Sequence, residues 1–134
     1  MATMLAHVTI KSGMEERWET ICRRLYAATH ASEPAMRRYE YWRGSAPRSY
    51  YVHLSFDDHR AFIVHQVSDH HETESPHIGQ CLESFRLEFV DPVSGASDLA
   101  PTDAQDAPAD ADELTRSYTE RFAAQVADWW LALR

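Results

Sequence analysis

The stretch "MRRYEYWRGSAPRSYYVHLSF", residues 36–56, contains two runs rich in aromatic and β-branched residues on either side of a short break. The runs "MRRYEYWRG" and "SYYVHLSF" have the composition of β-strands, and "SAPR" between them has the composition of a turn. The pattern therefore predicts an antiparallel hairpin from Arg37 to Phe56. The segments on either side of this hairpin decide which fold it belongs to.

A helix is predicted on each side of the hairpin. The segment from Met14 to about Ala31 repeats apolar residues at three- and four-residue spacing and carries two glutamates in its first turn. After the hairpin, Asp57 or Asp58 can cap a second helix. The predicted inner face of that helix comprises Ala61, Phe62, Val64 and His65.

Two more strands complete the pattern. The segments "MLAHVTIK" (4–11) and "LESFRLEFVD" (82–91) both alternate apolar and polar residues, as a strand with one buried face does. The element order is thus β-α-β-β-α-β, which predicts an α+β fold, the ferredoxin-like plait, over residues 1–91.

The remainder of the chain has a different character. Residues 92–111 are mainly Pro, Ala, Asp and Ser, and we expect them to form a flexible linker. Residues 112–134 carry apolar side chains at intervals of about four from Leu114 to Leu133, which predicts an amphipathic helix that docks on an apolar surface. Trp129 and Trp130 are expected to pack on the same or the partner subunit.

Composition limits the possible functions. The net charge is −8, and the segment from Asp91 to Glu113 holds seven acidic residues and no lysine or arginine, so nucleic acid is not an expected partner. There is no apolar run long enough for a membrane span and no readable signal peptide, so we expect a cytoplasmic protein with no membrane partner. Cys22 and Cys81 form no disulfide framework and are expected to be buried apolar residues.

Three features resemble the antibiotic biosynthesis monooxygenase (ABM) domains of the dimeric α+β barrel superfamily. They are "IKSGMEERWETICRRLYAATHASEP", "RRYEYWRG" and the pattern Asp58-x-x-Ala61-Phe62-x-x-His65-x-x-Ser68-x-His70, within residues 4–91. The resemblance implies a homodimer of two plaits packed sheet to sheet, with a cavity between each sheet and its helices. Some members oxidise phenolic or hydroquinone-like polyketides with O₂ and no cofactor, and a related branch binds and degrades haem.

The haem-degrading branch uses an asparagine on the first strand and a tryptophan on the second helix. These positions correspond to Ala6 and His65, and the sequence contains no asparagine. A haem-ligating histidine of that branch would fall within about one residue of His77. The resemblance therefore leaves haem binding through His77 open, but not haem degradation.

Five of the eight histidines lie in residues 56–79, and they are not expected to form one site. His65 shares the predicted inner face of the second helix, where it is either the base of a reaction or a structural histidine bonded to a backbone carbonyl. His70 is the second catalytic candidate, with capping of a helix C-terminus as its alternative. His59 is expected at the surface, where replacement by alanine would have almost no effect.

The other candidates concern ligands. The histidines and acids of residues 70–77 have no recognised metal-binding spacing, so no metal is expected. His7 and His53 are expected on the sheet face away from the helices, at a polar dimer seam. Tyr39, Trp42 and Phe62 are candidate substrate contacts, with an ordinary core role as the alternative.

These observations lead to one hypothesis and two alternatives. The hypothesis is a cofactor-free monooxygenase, without flavin, nicotinamide or metal, whose partners are a small phenolic, quinol or polyketide-type aromatic substrate, O₂ and a second copy of the chain. The first alternative is a non-catalytic ligand-binding or assembly module with the same dimeric barrel. The second is a haem-binding protein.

Overall fold

The structure is a computed structural model that describes the whole chain, Met1–Arg134. The elements are β1 Ala2–Ile10, α1 Glu15–Ser32, β2 Met36–Arg43, β3 Ser49–Phe56, α2 His59–Gln66, α3 Asp69–Cys81, β4 Leu82–Phe89, α4 Glu113–Arg121 and α5 Asp128–Leu131. The four strands form one sheet in the order β2-β3-β1-β4, and all its paired neighbours are antiparallel. The predicted ferredoxin-like α+β fold is confirmed.

Strand alternation places the core on one face of the sheet. Along β1 the alternating residues Ala2, Met4, Ala6, Val8 and Ile10 are buried, and Thr3 is buried as well. The helices cover this face, and Trp18 and Leu25 of α1 are each less than 5% exposed. On the opposite face His7 pairs with Glu88 at 3.2 Å and packs edge-on against Tyr51. The period of two thus separates an apolar inner face from a polar outer face.

The predicted second helix is two helices. Ser68 separates α2 from α3, because its Oγ accepts from the backbone N–H of His71 and donates to the carbonyl of His65. His70 consequently lies in the first turn of α3, and its predicted place near a helix C-terminus is wrong. Val64 is 62% exposed, whereas its neighbour Ile63 takes the buried position on α2. The predicted cap is confirmed, since the Asp58 side chain accepts from the N–H of Ala61 at 2.7 Å.

His59 is buried, and the prediction of a surface residue is wrong. Its side chain is 1% exposed. Nδ1 lies 3.1 Å from the carbonyl oxygen of Gln105, and Nε2 lies 2.9 Å from that of Phe122. This ring therefore attaches the C-terminal part of the chain to α2, which no pattern within residues 56–79 reveals.

The segment after β4 lies on the domain. Residues 92–111 contain no helix or strand, but Thr102 is fully buried, accepts from the N–H of Thr3 and donates to the carbonyl of Val90. Arg134 pairs with Asp91 at 2.7 Å. These contacts argue for an ordered path over the domain, and flexibility of the linker stays a prediction.

The predicted single helix over residues 112–134 is two short helices, α4 and α5. At Phe122 the chain leaves the helical conformation, and its ring packs against Phe62 with centroids 5.9 Å apart. Tyr118 and Phe122 pack on the core, so docking of the apolar stripe is confirmed for α4. Leu133 and Trp129 of the last turns remain mostly exposed. None of the helices combines the length and apolar content that a bilayer span requires.

Candidate active site

A cavity of about 300 Å³ lies between the inner face of the sheet and the helices. This volume is at the lower end of the range for small-molecule sites. Its strand-borne lining comprises Ala6, Val8, Tyr39, Tyr41, Val52, Leu54, Leu82, Phe85 and Leu87, and its helix-borne lining includes Trp18, His65, Gln66, His71 and Ile78. The surface offered to a ligand is thus mainly apolar and aromatic, with a few polar atoms.

His65 is held by Glu33. The two carboxylate oxygens of Glu33 lie 2.9 and 3.0 Å from His65 Nδ1, and the side chain of His65 is 1% exposed. A carboxylate at this distance accepts the proton of Nδ1–H, which leaves the lone pair of the neutral ring on Nε2. His65 Nε2 is buried and has no hydrogen-bond partner within the protein. This arrangement is a carboxylate-oriented imidazole, with an unpartnered buried nitrogen, on a residue that lines the cavity.

His70 reaches the same carboxylate from the other side. Its Nε2 lies 2.7 Å from Glu33 Oε1, but neither His70 nor Glu33 lines the cavity. The structure therefore brings the two predicted catalytic histidines together, with Glu33 between them. His70 helps to orient Glu33, and its predicted capping of helix-terminal carbonyls is not observed.

Two other cavity-lining residues, Trp18 and His71, each carry a buried ring nitrogen without a partner, Nε1 and Nδ1 respectively. Burial lowers the pKa of His71 to about 3, so this ring is neutral near neutral pH. Trp18 Nε1 is a donor only. An unsatisfied buried polar group is costly, so these two nitrogens are candidate hydrogen-bonding positions for a ligand in the cavity.

Tyr39 lines the cavity as predicted. It is 2% exposed, its ring packs edge-on against His65 at 4.8 Å, and its hydroxyl lies 2.7 Å from that of Tyr41. Burial raises the pKa of both phenols, so neither acts as a base near neutral pH. His65 is therefore the candidate base at this wall of the cavity.

Two predicted substrate contacts lie elsewhere. Trp42 is 59% exposed, and its indole N–H donates to Glu40 outside the cavity. Phe62 is fully buried and packs on Phe56 and Phe122 without lining the cavity. Neither residue therefore lines this cavity, and Phe62 is part of the core.

His77 also lies outside the cavity. It is exposed on α3, and its Nδ1 lies 3.1 Å from the guanidinium of Arg17. A haem ligated there would not enter the cavity, so the structure gives no support to the haem-binding alternative through His77.

Sequence reasoning missed one complete wall of the cavity. Tyr118, Arg121 and Phe122 of the α4 region line it, and the hydroxyl of Tyr118 donates to Glu72 of α3. Arg121 is exposed at the rim and forms no ion pair, while its guanidinium lies 5.1 Å from the ring centroid of Phe122. The apolar stripe of residues 114–133 was the available signal, but it does not show which surface the helix covers.

The comparisons with known proteins agree with this architecture. The family model described as antibiotic biosynthesis monooxygenase matches residues 1–73, more than half of the 134-residue chain. No curated protein matches the sequence. Fifty-eight chains of solved structures match.

Three of these structures illustrate the similarity. One is described as an antibiotic biosynthesis monooxygenase and is 20% identical, with a TM-score of 0.64. The match covers 69% of this chain and 99% of the other chain. A candidate antibiotic biosynthesis monooxygenase from Caulobacter crescentus is 19% identical with a TM-score of 0.65, covering 69% and 90%. A Pseudomonas aeruginosa protein is 21% identical with a TM-score of 0.61, covering 66% and 90%.

At these identities the solved structures show the fold alone, whereas the family model identifies the sequence itself. The matched residues contain α1, the hairpin, α2 and the first turn of α3, and hence the Glu33, His65 and His70 cluster. The chain belongs to the antibiotic biosynthesis monooxygenase family.

Proposed function

We propose that this protein is a cofactor-independent monooxygenase that oxidises an electron-rich phenolic, quinol or polyketide-type aromatic compound with O₂. The observation that carries the proposal is the free, buried Nε2 of His65, whose ring is oriented by Glu33 in an aromatic cavity. A base at this position suits a substrate that must lose a phenolic proton before it reacts with oxygen.

The chemistry needs no external reductant. Oxidation of a phenol with a free para position to its quinone consumes one O₂ and releases one water, so the substrate supplies all four electrons. His65 Nε2 accepts the phenolic proton, and the resulting phenolate transfers the first electron to O₂. The carboxylate of Glu33 stabilises the imidazolium that forms in this step, because it already accepts from Nδ1–H.

The cavity wall can hold the aromatic ring during this reaction. Tyr39 and Tyr41 offer flat apolar contacts, and the N–H of Trp18 can donate to a substrate oxygen. A mainly apolar lining also excludes bulk water from a reactive radical pair. These contacts favour a planar substrate with oxygen substituents.

Oxygen consumption tests the proposal directly. Metal-free, tag-free protein is incubated with a panel of hydroquinones, anthrone-type phenols and naphthols, without added reductant. For each phenol or naphthol with a free para position we expect uptake of one O₂ per quinone formed, with one atom of ¹⁸O₂ in the product and the other in water. A hydroquinone with a free ring position should show the same stoichiometry when its product is the hydroxyquinone. A protein that binds members of the panel but consumes no oxygen with any of them would favour the non-catalytic module.

Arg121 suggests a charge preference in the substrate. It is the one lysine or arginine in the cavity lining, and it has no carboxylate partner. We expect Arg121→Gln to raise KM about 2- to 5-fold for a substrate that bears a carboxylate, because an exposed charge–charge contact is worth about 1 kcal/mol or less. The KM for the uncharged analogue of the same substrate should change less than twofold.

The outer face of the sheet is the proposed dimer surface. Light scattering should give about twice the chain mass, because this face leaves half-exposed Tyr51 and His53 in need of cover. His53 lies opposite Glu40 in the strand register, so His53→Glu places two carboxylates side by side and should shift the protein toward monomer. The matched change His77→Glu on exposed α3 should leave the mass unchanged, and a monomeric parent would contradict the proposal.

A further inference from the structure

Three potential metal ligands converge behind the cavity wall. Glu33 follows the last turn of α1, His65 lies on α2 and His70 in the first turn of α3. One ligand atom from each, a carboxylate oxygen and two imidazole nitrogens, lies within 4.8 Å of the other two. Three elements that are distant in sequence therefore present two imidazoles and one carboxylate to a common point.

The hydrogen bonds at this point are crowded. His70 Nε2 has three oxygens near it, from Glu33 at 2.7 Å, Ser68 at 3.1 Å and Thr29 at 3.4 Å. A single ring nitrogen carries either one proton or one lone pair, so it cannot serve all three well. Glu33 Oε1 in turn contacts both imidazoles. One cation in place of the two ring protons would satisfy both nitrogens and the carboxylate together.

The ligand types indicate which cation fits. Imidazole nitrogen with a carboxylate oxygen suits Zn²⁺ and neighbouring divalent transition metals, whereas Ca²⁺ and Mg²⁺ prefer all-oxygen sites. The side chain of Glu33 is 11% exposed and that of His70 is 24% exposed, so an ion can reach them from the protein surface. Neither residue lines the cavity, so the ion would not touch a substrate bound there.

We propose that Glu33, His65 and His70 form a binding site for one Zn²⁺-type ion, and that occupation of this site switches off His65 as a base. The reason is the tautomer of a single ring. When Nδ1 of a neutral imidazole gives its lone pair to a metal, the proton resides on Nε2. In the metal-bound protein the ring then presents an N–H donor to the cavity. In the metal-free protein, where Nδ1–H donates to Glu33, the ring presents a lone pair instead.

The inhibitory part rests on the proposed function, but the metal site does not. Binding is therefore measured first, by titrating Zn²⁺ into the tag-free, metal-free full chain with calorimetry and by recording the visible spectrum with Co²⁺. We expect one ion per chain, a Co²⁺ spectrum typical of tetrahedral nitrogen and oxygen ligation, and a higher melting temperature with Zn²⁺.

Two ligand variants locate the site. His70→Gln and Glu33→Gln should each weaken Zn²⁺ binding by about 100-fold or more, since each removes one of three ligands. The control variants His77→Gln and His53→Gln remove histidines elsewhere and should bind as the parent does. Equal binding by all four variants, or more than one weak ion per chain, would overturn the proposal. Circular dichroism shows whether a variant is folded. If one variant unfolds, the number of Zn²⁺ ions bound per parent chain and the other ligand variant still test the site.

Activity then tests the switch. Zn²⁺ should lower the oxidation rate of the parent by about tenfold or more, with recovery on chelation, because the base is lost. Each variant is compared with its own metal-free rate, and His70→Gln should resist Zn²⁺ at concentrations that inhibit the parent. Oxidation that persists in the parent with one tightly bound ion would overturn the switch alone. Tight binding in a protein that oxidises no substrate would leave the metal site standing and reject the proposed monooxygenase.

Discussion

His65→Gln should lower kcat for oxidation of a phenolic substrate by about 100-fold or more, the size expected when a positioned base is lost. Glutamine keeps most of the volume, and its amide can still donate to Glu33, but it offers no basic nitrogen to the cavity. The Nδ1–H donor at 2.9 Å from Glu33 is thus replaced by an amide N–H donor to the same carboxylate, and the melting temperature should change little. The measurement is oxygen consumption beside thermal unfolding for each variant.

A second substitution separates chemistry from packing. His65→Ala should lose as much activity as His65→Gln and in addition about 1–3 kcal/mol of stability, because it removes a fully buried ring and one of two partners of Glu33. His53→Gln makes the same change on the other face of the sheet and should keep full activity. If His65→Gln turns over the substrate as fast as the parent, His65 is a structural residue and the proposed mechanism is wrong.

Glu33 acts through His65 and is a positioning residue. Glu33→Gln should lower kcat by about 10-fold or more while KM changes little, because the amide can accept from Nδ1–H but cannot stabilise an imidazolium. Its effect should largely vanish in the His65→Gln background, since the two side chains act as a unit. Additive losses in the double variant would contradict coupling through this pair.

The fold could be predicted from local periodicity, because the spacing of apolar residues within each strand and helix indicates its type and its buried face. The alternation of Met4, Ala6 and Val8 sets the inner face of the sheet, and the four-residue repeat of α1 sets the face that covers it. His65 was placed on the cavity side by the same geometry, three residues after buried Phe62. These inferences need only neighbouring residues, and they agree with the structure.

Glu33 was not predictable in this way. It lies 32 positions before His65, beyond the end of α1, and nothing in its local sequence distinguishes it from a solvent-exposed glutamate. The pair exists because α1 and α2 pack on the same face of the sheet, which brings the end of one helix to the side of the other. The break at Ser68 is similar, since a polar residue inside a helical pattern becomes a cap only when its hydroxyl finds partners.

His59→Ala should produce the largest loss of stability among the histidine variants, about 2 kcal/mol or more. Its ring is 1% exposed, and both nitrogens face backbone carbonyls of the C-terminal part, at Gln105 and Phe122. Alanine leaves a void and removes the ring N–H that donates to one of these carbonyls, and a carbonyl left buried without a donor costs about 1–3 kcal/mol. His77→Ala makes the same chemical change at an exposed position and should stay within about 0.5 kcal/mol of the parent.

The same variant tests how the C-terminal part serves the cavity. His59 attaches the chain at the point where Phe122 leaves α4, so its loss should free both the 92–111 segment and the α4 wall. We expect protease to cut within residues 92–112 faster in His59→Ala than in His77→Ala, and KM to rise because Tyr118 and Phe122 line the cavity. If His59→Ala is cleaved at the parent's rate and melts at the parent's temperature, the C-terminal part is held without His59. If cleavage is faster but KM is unchanged, α4 is not part of the substrate site.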